Sequence, residues 1–180
     1  RVANLWAKRE TEEIQALMER SFRLVYAISF PGMYGVVLIA TRFVPIFYGE
    51  GYDGVVTVLY ILAVLLPVIA SSNVIGIQYL VPTGQERYLT LSVTVGAIVN
   101  FGCNLFLIPH FLANGAAVGS VIAELCVTGV QFWIVRRQLE ISRFFKAALR
   151  YFWLGLPMFA VGLLTSHALP LNFFGMAGLI

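Results

Sequence analysis

The chain has 180 residues, of which 59% are hydrophobic and 12% charged, with a net charge of +3 and a mean hydropathy of +0.85. This composition excludes a water-soluble domain, because one core of this size cannot bury so much apolar surface. It predicts an integral membrane protein without a nucleic-acid partner, since the basic residues are those expected beside anionic lipid.

The first segment, 1–21, mixes charged residues with apolar residues near helical spacing. Thr11, followed by Glu12 and Glu13, indicates a helix start, because a hydroxyl can cap the first turn and acidic groups suit the positive end of the helix dipole. We predict an amphipathic helix on the inner membrane face. The alternative is the solvated end of a preceding transmembrane helix. Because the chain begins at Arg1 without a methionine, we also expect an upstream part.

The remainder, 22–180, is predicted to be a transmembrane domain. A spanning helix needs about 20 apolar residues, because every backbone polar group must be satisfied internally. The apolar pattern predicts five spans and the start of a sixth, at 24–43, 55–80, 89–108, 115–135, 151–165 and from 171 onward. The expected fold class is therefore all-α, a polytopic helix bundle.

Eleven of the twelve basic residues fall in three polar segments, namely 1–23, the turn at Arg87 and 136–150. Cytoplasmic loops of membrane proteins keep an excess of Lys and Arg. We therefore expect these segments in the cytoplasm and the turns near Glu50, His110 and His167 outside. Arg42 is the exception, and either reaches the outer headgroups or lines a route for an anionic substrate group.

Pro31 lies inside the first predicted span and Pro67 inside the second. Each removes a backbone hydrogen bond and tends to kink its helix. They are hinge candidates. The alternative is a static kink in which neighbouring Ser or Thr side chains satisfy the freed groups.

The third and fourth spans form a predicted hairpin with matching faces. Residues spaced by four line each helix, with Gly96, Asn100 and Asn104 on one and Gly115, Gly119 and Ala123 on the next. Small residues let two backbones approach closely.

Glu124 lies within the fourth span, at about the depth of Asn100. An intramembrane carboxylate costs roughly 2.5 to 3.5 kcal/mol on insertion scales and is expected to face protein or a wet cavity. Glu124 is predicted to be a proton-accepting or cation-coupling group, or a hydrogen-bond acceptor that fixes the hairpin. The alternative is structural, with Glu124 neutral or bonded to Asn100 or Asn104.

Several motif matches lack the required context. Gly49, Gly51 and Gly54 satisfy G-x-G-x-x-G, but no strand precedes them. Cys103 and Cys126 show no metal or disulfide spacing. With no catalytic set, metal cluster or cofactor motif, we expect a protein that is not an enzyme and needs no cofactor.

The run QYLVPTGQERYLTLSVTVGAIVNFGCNLFLIPHFLANGAAVGSVIAELCV, 78–127, resembles the C-terminal lobe of the Wzx-type polysaccharide flippases of the multidrug/oligosaccharidyl-lipid/polysaccharide exporter superfamily. The stretch NLWAKRETEEIQALMERSFRLVYAISFPGMYGVVLIATRFVPIFYGEGYDG is similar to the segment entering that lobe. The resemblance covers roughly residues 4 to 140. It depends on an Asn-rich helix ending in Leu-Ile-Pro, a Gly-Ala helix start and an intramembrane Glu, in that order.

The resemblance implies a bacterial inner-membrane transporter of twelve to fourteen helices. Such proteins move undecaprenyl-pyrophosphate-linked oligosaccharide units to the outer face by alternating access, in surface polysaccharide synthesis. Implied partners are that substrate, membrane lipids and the polysaccharide polymerase and chain-length machinery. Two alternatives stay open, a drug or cation antiporter of the same superfamily and a membrane-embedded polymerase or glycosyltransferase. The short outer turns disfavour the last.

Overall fold

The computed structural model describes residues 1–168, and its regular structure there is entirely helical. The helices are α1 (Val2–Ala7), α2 (Thr11–Tyr48), α3 (Gly54–Ala63), α4 (Leu65–Ile75), a π-helical turn (Gly76–Leu80), α5 (Glu86–Val135) and α6 (Ile141–Ala168). The predicted all-α class is confirmed. The sixth predicted span, from 171, lies outside the described residues.

The N-terminal segment is two helices rather than one. Helix α2 begins at Thr11, the predicted start, but Glu10 occupies the cap position and no side chain caps the helix. From Thr11 the helix runs without interruption through the first predicted span, so position 21 marks no helix end. The placement of 1–21 on the inner membrane face stays a prediction.

Within residues 1–168, four helical units are long and apolar enough to cross a membrane, namely Thr11–Tyr48, Gly54–Leu80, Glu86–Val135 and Ile141–Thr165. The chain is a multi-pass membrane protein. The third unit, α5, has 50 residues and reverses at Leu112, where φ is 51° and ψ is −128°. Its arms, 86–111 and 113–135, contain the two spans predicted for 89–108 and 115–135. We call this pair of arms the hairpin.

The two hinge candidates lie in different backbone surroundings. Helix α2 is continuous through Pro31. The break between α3 and α4 falls at Val64, three residues before Pro67, because a proline cannot bond to the carbonyl four residues earlier and clashes with it. The Ser71 hydroxyl donates to the Pro67 carbonyl at 2.7 Å, which is not the Ala63 carbonyl that the proline leaves without its helical donor. A hinge role for either proline stays a prediction.

An apolar core lies where α2 packs against α6, the end of α5 and the segment 74–80. Phe22 is fully buried, and its ring stacks on Phe144 with centroids 4.3 Å apart and faces Phe132 at 6.2 Å. Tyr26, one turn along α2, continues this cluster at 5.6 Å. Stacked aromatic pairs add to the free energy of burial. One aromatic cluster therefore joins helices α2 and α6.

Replacing Phe22 with alanine should lower the free energy of unfolding by about 3 to 5 kcal/mol, because the truncation leaves a cavity among three rings. Thermal unfolding of the purified protein in detergent measures the effect. Phe101→Ala is the matched control, since Phe101 is 72% exposed and should change the unfolding temperature little. Equal shifts for the two variants would contradict the central role of Phe22.

Candidate functional site

The three basic segments of the sequence meet at one end of the bundle. Gln15 of α2 accepts a hydrogen bond from the Glu140 backbone N–H at 3.0 Å, which joins the first segment to the third. Gln85 and Gln138 exchange two hydrogen bonds of 3.1 Å, which join the second segment to the third. We call this region the basic end, and it comprises Arg1, Lys8, Arg9, Arg20, Arg23, Arg87, Arg136, Arg137, Arg143, Lys146 and Arg150.

Two carboxylates offset part of this charge. Glu19 accepts from Arg143 at 3.0 Å and from Arg23 at 3.5 Å, and Glu140 pairs with Arg143 at 2.7 Å. Both arginines are more than half exposed, so solvent screens each pair and its contribution to stability is small. These pairs position the loops more than they stabilise the fold.

The arms of the hairpin pack closely through glycine. A Cβ added at Gly96 would overlap the Val127 side chain, and one added at Gly119 would overlap the Asn104 amide. One added at Gly115 would meet the Leu107 backbone. The arms are thus antiparallel and close, as the small-residue pattern predicted.

The hairpin register brings the polar candidates to one level. With Gly96 against Val127 and Gly119 against Asn104, Asn100 falls opposite Ala123, next to Glu124. Asn104 donates to Asn100 at 2.9 Å, and the buried side-chain oxygen of Asn104 has no hydrogen-bond partner among residues 1–168. Glu124 is half-buried, and no hydrogen bond joins it to either asparagine in residues 1–168. Its coupling role stays a prediction.

A second buried polar pair was missed by the sequence analysis. Ser92 and Gln131 are both fully buried, and the Gln131 amide donates to the Ser92 hydroxyl at 3.2 Å across the hairpin. The Gln131 carbonyl oxygen has no partner within the described residues. The signal was present, since Gln131 is an uncharged polar residue inside the fourth predicted span.

Of the remaining candidates, Arg42 lies apart from these two regions, whereas Cys103 and Cys126 lie on the arms of the hairpin. Arg42 is half-buried near the far end of α2, distant along the helix from the basic end, and its proposed anion route stays a prediction. Cys103 and Cys126 are free thiols. Among the described residues no group of three His, Cys, Asp or Glu side chains is placed to hold a metal ion.

Comparison with known proteins gives a likeness of fold. No protein-family model and no curated protein matches the chain. A solved structure, the lipid II flippase MurJ in an inward closed conformation, is similar to it with a TM-score of 0.70 and 17% sequence identity. The match covers 92% of this chain and 36% of the flippase. The chain therefore has the fold of about a third of that transporter.

Gly119→Val should force the arms of the hairpin apart, because valine would overlap the Asn104 amide. We expect it to lower the free energy of unfolding by about 1 to 3 kcal/mol, as overpacking does. Gly129→Val is the control on the same arm, since nothing lies within 4 Å of a Cβ at Gly129. Thermal unfolding of both variants separates the clash from the general effect of valine in a helix, and equal destabilisation would exclude the clash.

Proposed function

We propose that the chain is part of a flippase that moves lipid-linked oligosaccharide units from the cytoplasmic to the outer face of the bacterial inner membrane by alternating access. The observation that supports this most is its likeness in fold, over 92% of its length, to a lipid II flippase. The sequence resemblance to the C-terminal lobe of the polysaccharide flippases supports the oligosaccharide class of substrate.

The distribution of charge supports the orientation. Eleven basic residues lie at one end of the bundle, and only Arg42 lies toward the other. Under the positive-inside rule this end faces the cytoplasm, including the predicted cytoplasmic segments 1–23 and 136–150. In this orientation a substrate with an anionic diphosphate headgroup would first approach the basic end.

The hairpin supports a transporter more than an enzyme. Its polar groups, Asn100, Asn104 and Glu124, lie between two closely packed helices inside the predicted membrane region, where polar groups often mark a transport pathway. A drug or cation antiporter would share this arrangement and is the second candidate, because Glu124 would then be its coupling group. Polysaccharide polymerase and chain-length proteins are proposed as partners.

Deletion of the gene, followed by complementation, tests the proposal against its competitors. A flippase deletion should leave lipid-linked oligosaccharide on the inner leaflet, where reagents added outside cannot reach it. A polymerase deletion would instead leave single units on the outer face, and an antiporter deletion would alter drug sensitivity without lipid-linked intermediates. Wild-type levels of lipid-linked oligosaccharide after deletion would contradict the flippase.

The variant Glu124→Gln tests whether Glu124 couples transport to the uptake of a proton. The amide keeps the size of the side chain but cannot take up a proton, so we expect it to preserve folding and to remove the dependence of transport on pH. The readout is transport across a pH series in cells or liposomes. Glu50→Gln, in the exposed turn after α2, is the control. Transport by Glu124→Gln that follows the wild-type pH profile would exclude proton coupling through this residue.

A further inference from the structure

A cavity of about 390 Å³ at the basic end has the chemistry of an anion site. Three arginines line it, Arg87, Arg136 and Arg137, together with the aromatic residues Tyr88 and Trp133. No carboxylate lines this cavity, and within 1–168 none forms an ion pair with the three arginines, although Arg136 and Arg137 also border a neighbouring cavity that contains Glu12, Glu19 and Glu140. We call it the arginine pocket. Its volume lies in the range of pockets that hold small molecules.

The walls of the arginine pocket are fixed by hydrogen bonds. The side chains of Gln85 and Gln138, which line the pocket, exchange two hydrogen bonds. The Tyr79 hydroxyl donates to the side-chain oxygen of Gln138 at 2.7 Å. These bonds hold the turn before α5 against the end of α5. The pocket is therefore formed before any ligand enters, which reduces the entropic cost of binding.

Aromatic rings orient two of the three guanidinium groups. The Arg136 guanidinium lies over the Trp133 ring at 5.0 Å, and the Arg87 guanidinium lies over the Tyr88 ring at 4.7 Å. A guanidinium stacked in this way keeps N–H donors at its edge for a phosphate oxygen. Adjacent Arg136 and Arg137 repel each other, and a bound anion would relieve that repulsion.

The position of the pocket favours a lipid over a soluble anion. Trp133 is 63% exposed, and Trp and Tyr side chains favour the headgroup layer of a bilayer. Leu91 and Val93, at the start of the same hairpin arm as Tyr88, are also more than half exposed and offer apolar surface for acyl chains. A second basic cavity, near Lys146 and Arg150, also contains the Glu19 carboxylate, which disfavours an anion there.

We propose that the arginine pocket binds the phosphate of an anionic phospholipid from the leaflet that the basic end faces. Basic pockets between helices on the cytoplasmic side are typical sites for such headgroups. The inference requires only that the chain lies in a membrane and does not depend on the proposed flippase function. The bound lipid would tie the turn before α5 to the end of α5 through one phosphate.

Lipid retention by the whole protein tests the proposal. The protein is reconstituted in nanodiscs of phosphatidylcholine with a graded fraction of phosphatidylglycerol. It is then purified in mild detergent, and the lipid that remains bound is counted by native mass spectrometry. We expect phosphatidylglycerol to be retained in preference to phosphatidylcholine. Arg136→Gln and Arg87→Gln should each weaken that retention about tenfold, the effect of losing one charged hydrogen bond.

Arg20→Gln is the matched control, because Arg20 is also exposed at the basic end but shares its cavity with Glu13. If Arg20→Gln weakened the retention of phosphatidylglycerol equally, the overall positive charge of the basic end would attract the lipid. That result would contradict binding in the arginine pocket. If inorganic phosphate at equal concentration displaced the lipid, the pocket would be a site for a soluble anion. That result would contradict a phospholipid as its ligand. The two pocket variants are made separately, so that a failure of one to fold leaves the other as the test.

Discussion

The stacking of Phe22 on Phe144 joins the beginning of the first long helix to the beginning of the last one. The hydrogen bond from Glu140 to Gln15 and the ion pair of Glu19 with Arg143 lie beside this aromatic contact. Neither polar contact could be held at its distance if α2 and α6 separated. A small apolar cluster thus sets the geometry of a strongly charged region.

The basic end also shows how the chain tolerates so many like charges. Its carboxylates, Glu19 and Glu140, are placed between α2 and α6, where they bond to Arg143 and Arg23. Arg87 and Arg136, near the two ends of α5, lie over aromatic rings instead. Charge is therefore offset by acids between α2 and α6 and by ring faces near the two ends of α5.

Three features could be predicted from the sequence, because each depends on a pattern that repeats locally. They are the all-α fold class, the hairpin, and the location of the basic segments on one side of the membrane. Apolar length predicts spans, and glycines spaced by four predict close helices. The buried bond between Ser92 and Gln131, the π-helical turn at Gly76–Leu80 and the arginine pocket could not. The bond and the pocket depend on the relative rotation of segments 39 to 59 residues apart, which no local pattern specifies. The continuous course of α2 past position 21 was likewise hidden, since a surface helix and the end of a long span show the same amphipathic pattern.

The grouping of the charges at one end limits how the protein can move. Each basic residue carried to the bilayer centre costs several kcal/mol, so drawing eleven of them through the membrane together presents a barrier that thermal motion does not cross. The bundle therefore keeps for its lifetime the orientation in which it was inserted. Any cycle that exposes a site first to one side and then to the other must proceed by tilting or bending of helices, while the charged end stays in its own aqueous layer.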